Sequence, residues 1–261
     1  MGEMLDEIVQ YRHLLFMLTW RDIKIRYKQA VMGFLWAILM PVFIVAAGLI
    51  VRVAVAYTSG KPLNFLDCAS VAVKALPWAF FIGSIRFSTT SLVSNGNLIT
   101  KIYFPREVFP ISAVLANLFD LSISSTVLII FLVFSPIHIT VYLLWLPLLI
   151  LLLILFTMAA GMFFSCGNLF FRDVKYIVEV IVTMAIFFTP VFYDASTFGK
   201  WGTLLLLNPV AVILESINSV VVLGRPPDPA WLAYAAAWSV LGILSSWTIF
   251  HRLEFLFAER I

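Results

Sequence analysis

The sequence predicts an all-α integral membrane protein. It has six transmembrane helices, an N-terminal amphipathic interface helix and short re-entrant outer helices between spans five and six. Three observations carry this expectation. Hydrophobic residues make up 62% of the 261 residues, against about 45–50% in ordinary soluble domains. Charged residues make up only 12% and the mean hydropathy is +1.04. Six apolar stretches, near 33–56, 71–94, 108–134, 142–167, 175–193 and 231–251, are long enough to cross about 30 Å of hydrocarbon. The expected domains are an amphipathic interface segment over 1–32, a transmembrane domain over 33–254 and a short tail over 255–261. No span of the chain is left for a soluble nucleotide-binding domain.

The N-terminal segment sets the orientation of the rest of the chain. Arg21, Lys24, Arg26 and Lys28 place four cations in eight residues, just before a glycine and an apolar run. On a helix, Phe16, Trp20, Ile23 and Tyr27 fall at spacings of 4, 3 and 4 and form one apolar stripe. Rings at the acyl boundary and cations at anionic headgroups make such a segment lie in a membrane surface. No signal peptide is expected, because about thirty polar or amphipathic residues precede the first apolar block.

Alternating the loops across six spans sorts the cations. One side receives Arg12, Arg21, Lys24, Arg26, Lys28, Lys101, Arg106, Arg172, Lys175, Arg252 and Arg260. The other receives Arg52, Lys61, Lys74, Lys200 and Arg225, while Arg86 lies within a span. The excess of positive charge predicts that both termini are cytoplasmic. Cys68 and Cys166 then fall on opposite sides, and no disulfide is expected between them.

Within the second span, Pro77, Ser84, Ser88, Ser91 and Asn95 share a narrow arc, which faces either a neighbouring helix or water. Arg86 points nearly opposite, and an unpaired charge at that depth costs several kcal/mol. Asp120 is its expected partner, with Glu179 second. Next comes a proline-bracketed turn, Pro105 to Pro110, which with Lys101, Arg106 and Glu107 reads as a charged inner loop. Gly161 and Ser165 have the small-xxx-small spacing that lets helices approach closely. After Tyr193 two apolar pieces, Trp201 to Leu207 and Val210 to Leu223, flank Asn208-Pro209. Each is too short to span, so they predict helices dipping into the outer leaflet, with Glu215 facing a cavity or outer water.

Motifs of catalysis are missing. The sequence holds no HExxH, GxSxG or GxxxxGK[ST]. His13, His138 and His251 fall on separate segments, which points to neither a metal site nor a triad. The fourteen acids are scattered. The chain therefore reads as a conduit and not as an enzyme, and no cofactor is expected on it.

Several motifs in order carry a family resemblance. They are Arg21-Asp-Ile-Lys-Ile-Arg-Tyr-Lys28 with Gly33 and Pro41, Leu76-Pro-Trp-Ala-Phe-Phe81, Lys101-Ile-Tyr-Phe-Pro-Arg-Glu107, Arg172-Asp173, Thr189-Pro-Val-Phe-Tyr193 and Asn208-Pro209. Together they resemble the ABC-2 type permeases, in particular exporters of O-antigen, capsule or teichoic acid chains. The resemblance covers nearly the whole chain. It implies a homodimer of permeases in a bacterial inner membrane, bound to two ATP-binding subunits that hold ATP and magnesium, exporting a lipid-linked polysaccharide. A six-span chain without an ATP motif fits that arrangement, since it needs an energised partner and a second copy to line a polymer pore.

Site residues follow as expectations. Arg21, Lys24, Lys101, Arg106 and Glu107 would feel the ATPase; Arg26, Lys28 and Arg86 would meet a lipid phosphate or carrier headgroup. Trp78, Ser84, Ser88 and Ser91 would line the channel, with Trp36, Phe80 and Phe81 as further aromatic faces. Asn208, Pro209 and Glu215 would form the outer gate. Two rival classes are a secondary transporter, which would show internal repeats and paired intramembrane acids, and a membrane-embedded transferase or scaffold of envelope glycan synthesis. No repeat is evident, and the acid cluster a transferase needs is missing.

Overall fold

The computed structural model describes residues 10–28, 35–60, 64–99, 104–137 and 140–260. Among these every regular element is helical. The longer helices are α1 Arg12–Lys28, α2 Trp36–Ser59, α3 Phe65–Ser94, α4 Val108–Val133, α5 Leu146–Phe170, α6 Val174–Phe188, α7 Pro209–Val221 and α8 Pro229–Arg260. Shorter helical pieces lie at Gly96–Ile99, Val141–Trp145, Ala195–Trp201 and Gly202–Leu205.

Long apolar helices satisfy their own backbone, which is why they are the form a chain takes in hydrocarbon. Five stretches are long and apolar enough to cross: Trp36–Tyr57, Phe65–Ser94, Val108–Val133, Val141–Phe170 and Pro229–Phe257. The expected fifth span is shorter than the sequence suggests. α6 stops at Phe188 after 15 residues, or about 22 Å at 1.5 Å per residue, because Thr189-Pro190 forces extended backbone on the residue before the proline. Beyond it, Gly199–Leu205 and Pro209–Val221 meet at 115°, a broken pair that brings the chain back on itself at Asn208-Pro209.

α3 is the central helix. It packs against α2, α4, α5, α6 and α7, while α8 lies along α5 and α1 lies along α4. Its crossing segment is 72% buried, whereas only 6% of α2's is. α2 is thus a flank helix, and its Ile50, Val53 and Tyr57 are exposed. Two large apolar cores stack along α3, and a smaller one joins its Ile85 to Val178 and Val182 of α6. One, at the end away from α1, joins Trp78 and Leu76 to Leu149, Leu153, Ile213 and Leu214. The other, at the α1 end, joins Leu92 and Phe109 to Met162, Phe250 and Phe257.

Gly161 explains how closely α5 reaches α3. A Cβ there would lie 2.5 Å from Ser88 Oγ, and one turn on, Ser165 Oγ sits 3.2 Å from Ser91 Oγ. The small-xxx-small spacing marks a real close approach. Gly161→Leu is expected to push the two helices apart and to cost about 1–3 kcal/mol, as overpacking does. A lowered thermal unfolding midpoint in detergent checks it, and an unchanged midpoint would contradict this packing.

Candidate functional site

At the α1 end, α1 docks through polar side chains. Arg26 donates to Asn117 Oδ1 at 3.1 Å and ion-pairs with Asp120, which also accepts from the Tyr27 hydroxyl. The Arg26 guanidinium stands 4.1 Å over the Phe87 ring. One turn earlier, Asp22 pairs with Arg21 at 2.8 Å and accepts from Ser112 at 3.4 Å. Between α1, α3 and the start of α4 lies a cavity of about 380 Å³, lined by Arg21, Arg26, Phe87, Thr90, Ser91 and Asn95 among others. Ile23 turns inward, while Phe16 and Trp20 stay exposed and stacked, with Lys24 over the indole at 5.4 Å. Lys28 is exposed.

This geometry corrects one expectation. Asp120 is taken by Arg26 and Tyr27, so it is not the partner of Arg86. Arg86 pairs instead with Glu179 of α6 at 2.6 Å and donates to Thr183 at 3.3 Å. Depth along neighbouring spans favours Asp120 for Arg86, but α1 brings a guanidinium to Asp120 from outside those spans. Both members of the Arg86–Glu179 pair are about half exposed on the lateral surface of the chain.

The polar arc of α3 is differently placed. Ser84, Ser88, Ser91 and Trp78 are all buried between helices of the same chain. Ser88 donates to the Pro110 carbonyl at 3.1 Å and Ser91 to the Ser88 carbonyl at 2.7 Å. The arc therefore faces neighbouring helices along most of its length, while Ser91 and Asn95 also border the cavity beside α1. Phe80 is buried too, Phe81 stacks with Phe156 at 6.2 Å, and Trp36 is exposed.

The turn before α4 meets the end of α8. Arg106 donates to the Glu254 carbonyl, and its backbone N–H reaches Glu254 Oε1 at 3.3 Å. Glu107 is buried, and burial, helped by the Glu254 charge, pushes its carboxyl above the usual range despite His251 nearby. Phe257 sits 5.9 Å beneath the Arg106 guanidinium. Arg21, Lys24, Arg106 and Glu107 thus share one end of the bundle; Lys101 lies outside the described residues.

At the opposite end stands a charge network that sequence reasoning misses. Lys74, fully buried, donates to Asp194 at 2.9 Å and to the Tyr193 carbonyl at 2.7 Å, with Glu215 at 3.5 Å. Arg52 of α2 reaches Asp194 at 2.9 Å and Asp67 at 3.4 Å. Burial alone would raise Asp194, but Lys74 and Arg52 outweigh it and hold its carboxyl below the usual range. Glu215 also accepts from the Ala195 N–H at 3.0 Å, so it is turned into this network. Asn208 caps α7 by accepting from Val210 at 3.1 Å, and it donates to Thr189 at 3.1 Å. Asn208, Pro209 and Glu215 therefore hold the bent segment against α3 and the end of α6.

The arrangement is that of a helical membrane protein with polar ties at both ends and no constellation for covalent chemistry among the described residues. The chain belongs to the ABC-2 type transporter family, whose model matches residues 13–222. It is similar to the O-antigen export system permease protein RfbA of Myxococcus xanthus, at 29% identity over 264 residues and the full length of both chains. Two proteins of the same name from Klebsiella pneumoniae are 26% and 27% identical, each match covering 94% of both chains.

Proposed function

We propose that the chain is the membrane-spanning permease subunit of an exporter that moves a lipid-linked polysaccharide across the inner membrane of a bacterium. Hydrolysis of ATP on separate subunits drives it. Family membership and the O-antigen permeases it resembles along their length support this reading. The sequence carries no ATP-binding motif of its own. In this reading α6 and the Thr189–Tyr193 turn that follows it make a sixth crossing, both termini are cytoplasmic, and α1 lies at the inner interface.

The observation that carries the conduit is the Arg86–Glu179 pair. Its two charges lie within the helical bundle and about half open on the side of a single chain. Facing lipid they would be costly; facing a second copy across a water-filled path they would be solvated. In a homodimer the α3–α6 face, with Arg86, Glu179, Thr183 and Thr90, would line the polymer's route. Arg21 and Arg26 border the inner cavity, and with Lys28 they meet the carrier phosphate. Arg21, Lys24, Arg106 and Glu107, with Lys101, form the surface that responds to the two ATP-binding subunits. The bent segment holding Asn208, Pro209 and Glu215 closes the outer end.

Cells lacking this protein are expected to accumulate lipid-linked glycan inside and to lose it from the surface. Surface glycan persisting without the protein would sink the assignment. Among complemented strains, Glu179→Lys, which sets two cations on one face, should abolish surface glycan while the permease remains inserted. Normal export by that variant would remove the α3–α6 face from the route.

A further inference from the structure

The geometry points to a divalent-cation site, zinc first, at Glu107, His251 and Glu254, where the turn before α4 meets the end of α8. One ligand atom from each of the three side chains lies within 4.8 Å of the others. His251 and Glu254 stand at i and i+3 on one face of α8, which aligns an imidazole and a carboxylate. His251 Nδ1 is 3.6 Å from Glu107 Oε1 and 3.5 Å from Glu254 Oε2. Those separations are long for hydrogen bonds but close to the edge of a zinc tetrahedron, roughly 3.3–3.4 Å for bonds of about 2.0–2.1 Å. An octahedral magnesium site would need edges of about 2.9 Å, and an imidazole ligand favours zinc over calcium or magnesium.

A second observation is independent of the clustering. Glu107 is 3% exposed, and its Oε2 is buried with no hydrogen-bond partner. A buried acceptor left without a partner is costly, and a cation bound among these three groups would satisfy it. Arg106 lies on the other side of Glu254, 3.9 Å from Oε1, and leaves Oε2 turned toward His251. His251 is 43% exposed, so the fourth position opens to water and the ion has a way in. The nearby guanidinium weakens the site, and micromolar affinity is expected. Zinc held there would fasten the end of α8 to the Arg106–Glu107 turn.

The test uses the full chain purified in detergent, freed of metal by chelation and dialysed against zinc chloride alone. One zinc per chain is expected. His251→Ala, at an exposed position, should weaken it by about tenfold or more, since even an outer-shell partner is worth that much. His13→Ala should leave it unchanged. Cobalt substituted for zinc should give the intense visible absorption of a tetrahedral site, lost in H251A. Zinc bound equally by H251A and the parent chain, or no stoichiometric zinc at micromolar concentration, overturns the site. Because binding is read on the permease alone, the result stands apart from the export reading.

Discussion

Asp194→Asn is expected to lower the stability of the purified chain by about 3 kcal/mol, near the lower bound for breaking a buried ion pair. Lys74 is fully buried, so its ammonium gains nothing from water when the nearest carboxylate goes. Glu215 remains, but at 3.5 Å it is the longer of the two contacts, and Arg52 loses its 2.9 Å partner as well. The double variant Lys74→Met/Asp194→Asn should recover much of the loss, because it removes the stranded charge together with its partner. Thermal unfolding in detergent checks both. A double variant as unstable as the sum of the singles would show that the two groups do not depend on one another.

The second large effect belongs to the α1 dock. Asp120→Leu removes the carboxylate that both Arg26 and Tyr27 reach, whereas Arg26→Leu leaves Asp120 with Tyr27. Asp120→Leu is therefore the more damaging of the two. In a double-mutant cycle the pair should show a coupling of about 0.5–3 kcal/mol, the range for contacting residues in one network. Protease cleavage within α1 gives a second reading, since a helix that has lost its dock is cut faster. Strictly additive effects, or equal damage from the two singles, would mean that α1 is held by Ile23 and Leu18 and not by its charges.

Much of the architecture is legible because hydropathy at membrane length has few alternative meanings. α4, expected over 108–134, is observed over Val108–Val133, and the break at Asn208-Pro209 falls where the proline places it. Gly161 and Ser165 announce a close helix approach by spacing alone, and the structure supplies α3 as the partner. Charge partners are less legible. Hydropathy starts the second span at 71 and so leaves Lys74 at the outer boundary. α3 begins six residues earlier, where Asp67 accepts from the Asn64 N–H at 3.1 Å. The asparagine with an acid three residues on is the available signal for the true start. Nothing in sequence spacing could bring Asp194 to Lys74 or Arg26 to Asp120, since those meetings depend on how helices far apart in the chain pack. The polar arc of α3 has two possible faces, and packing chooses the neighbouring helix.

The far-end network also sets a timetable for biogenesis. Lys74 and Asp194 are separated by 120 residues of chain. At roughly 5–20 residues per second, Lys74 leaves the ribosome about 6–24 s before its carboxylate has been made. An ammonium without that partner is held at the water boundary by its hydration, so α3 settles to full depth only after the chain beyond α6 has emerged. The most buried of the long crossing helices is thus among the first synthesised and among the last to be seated.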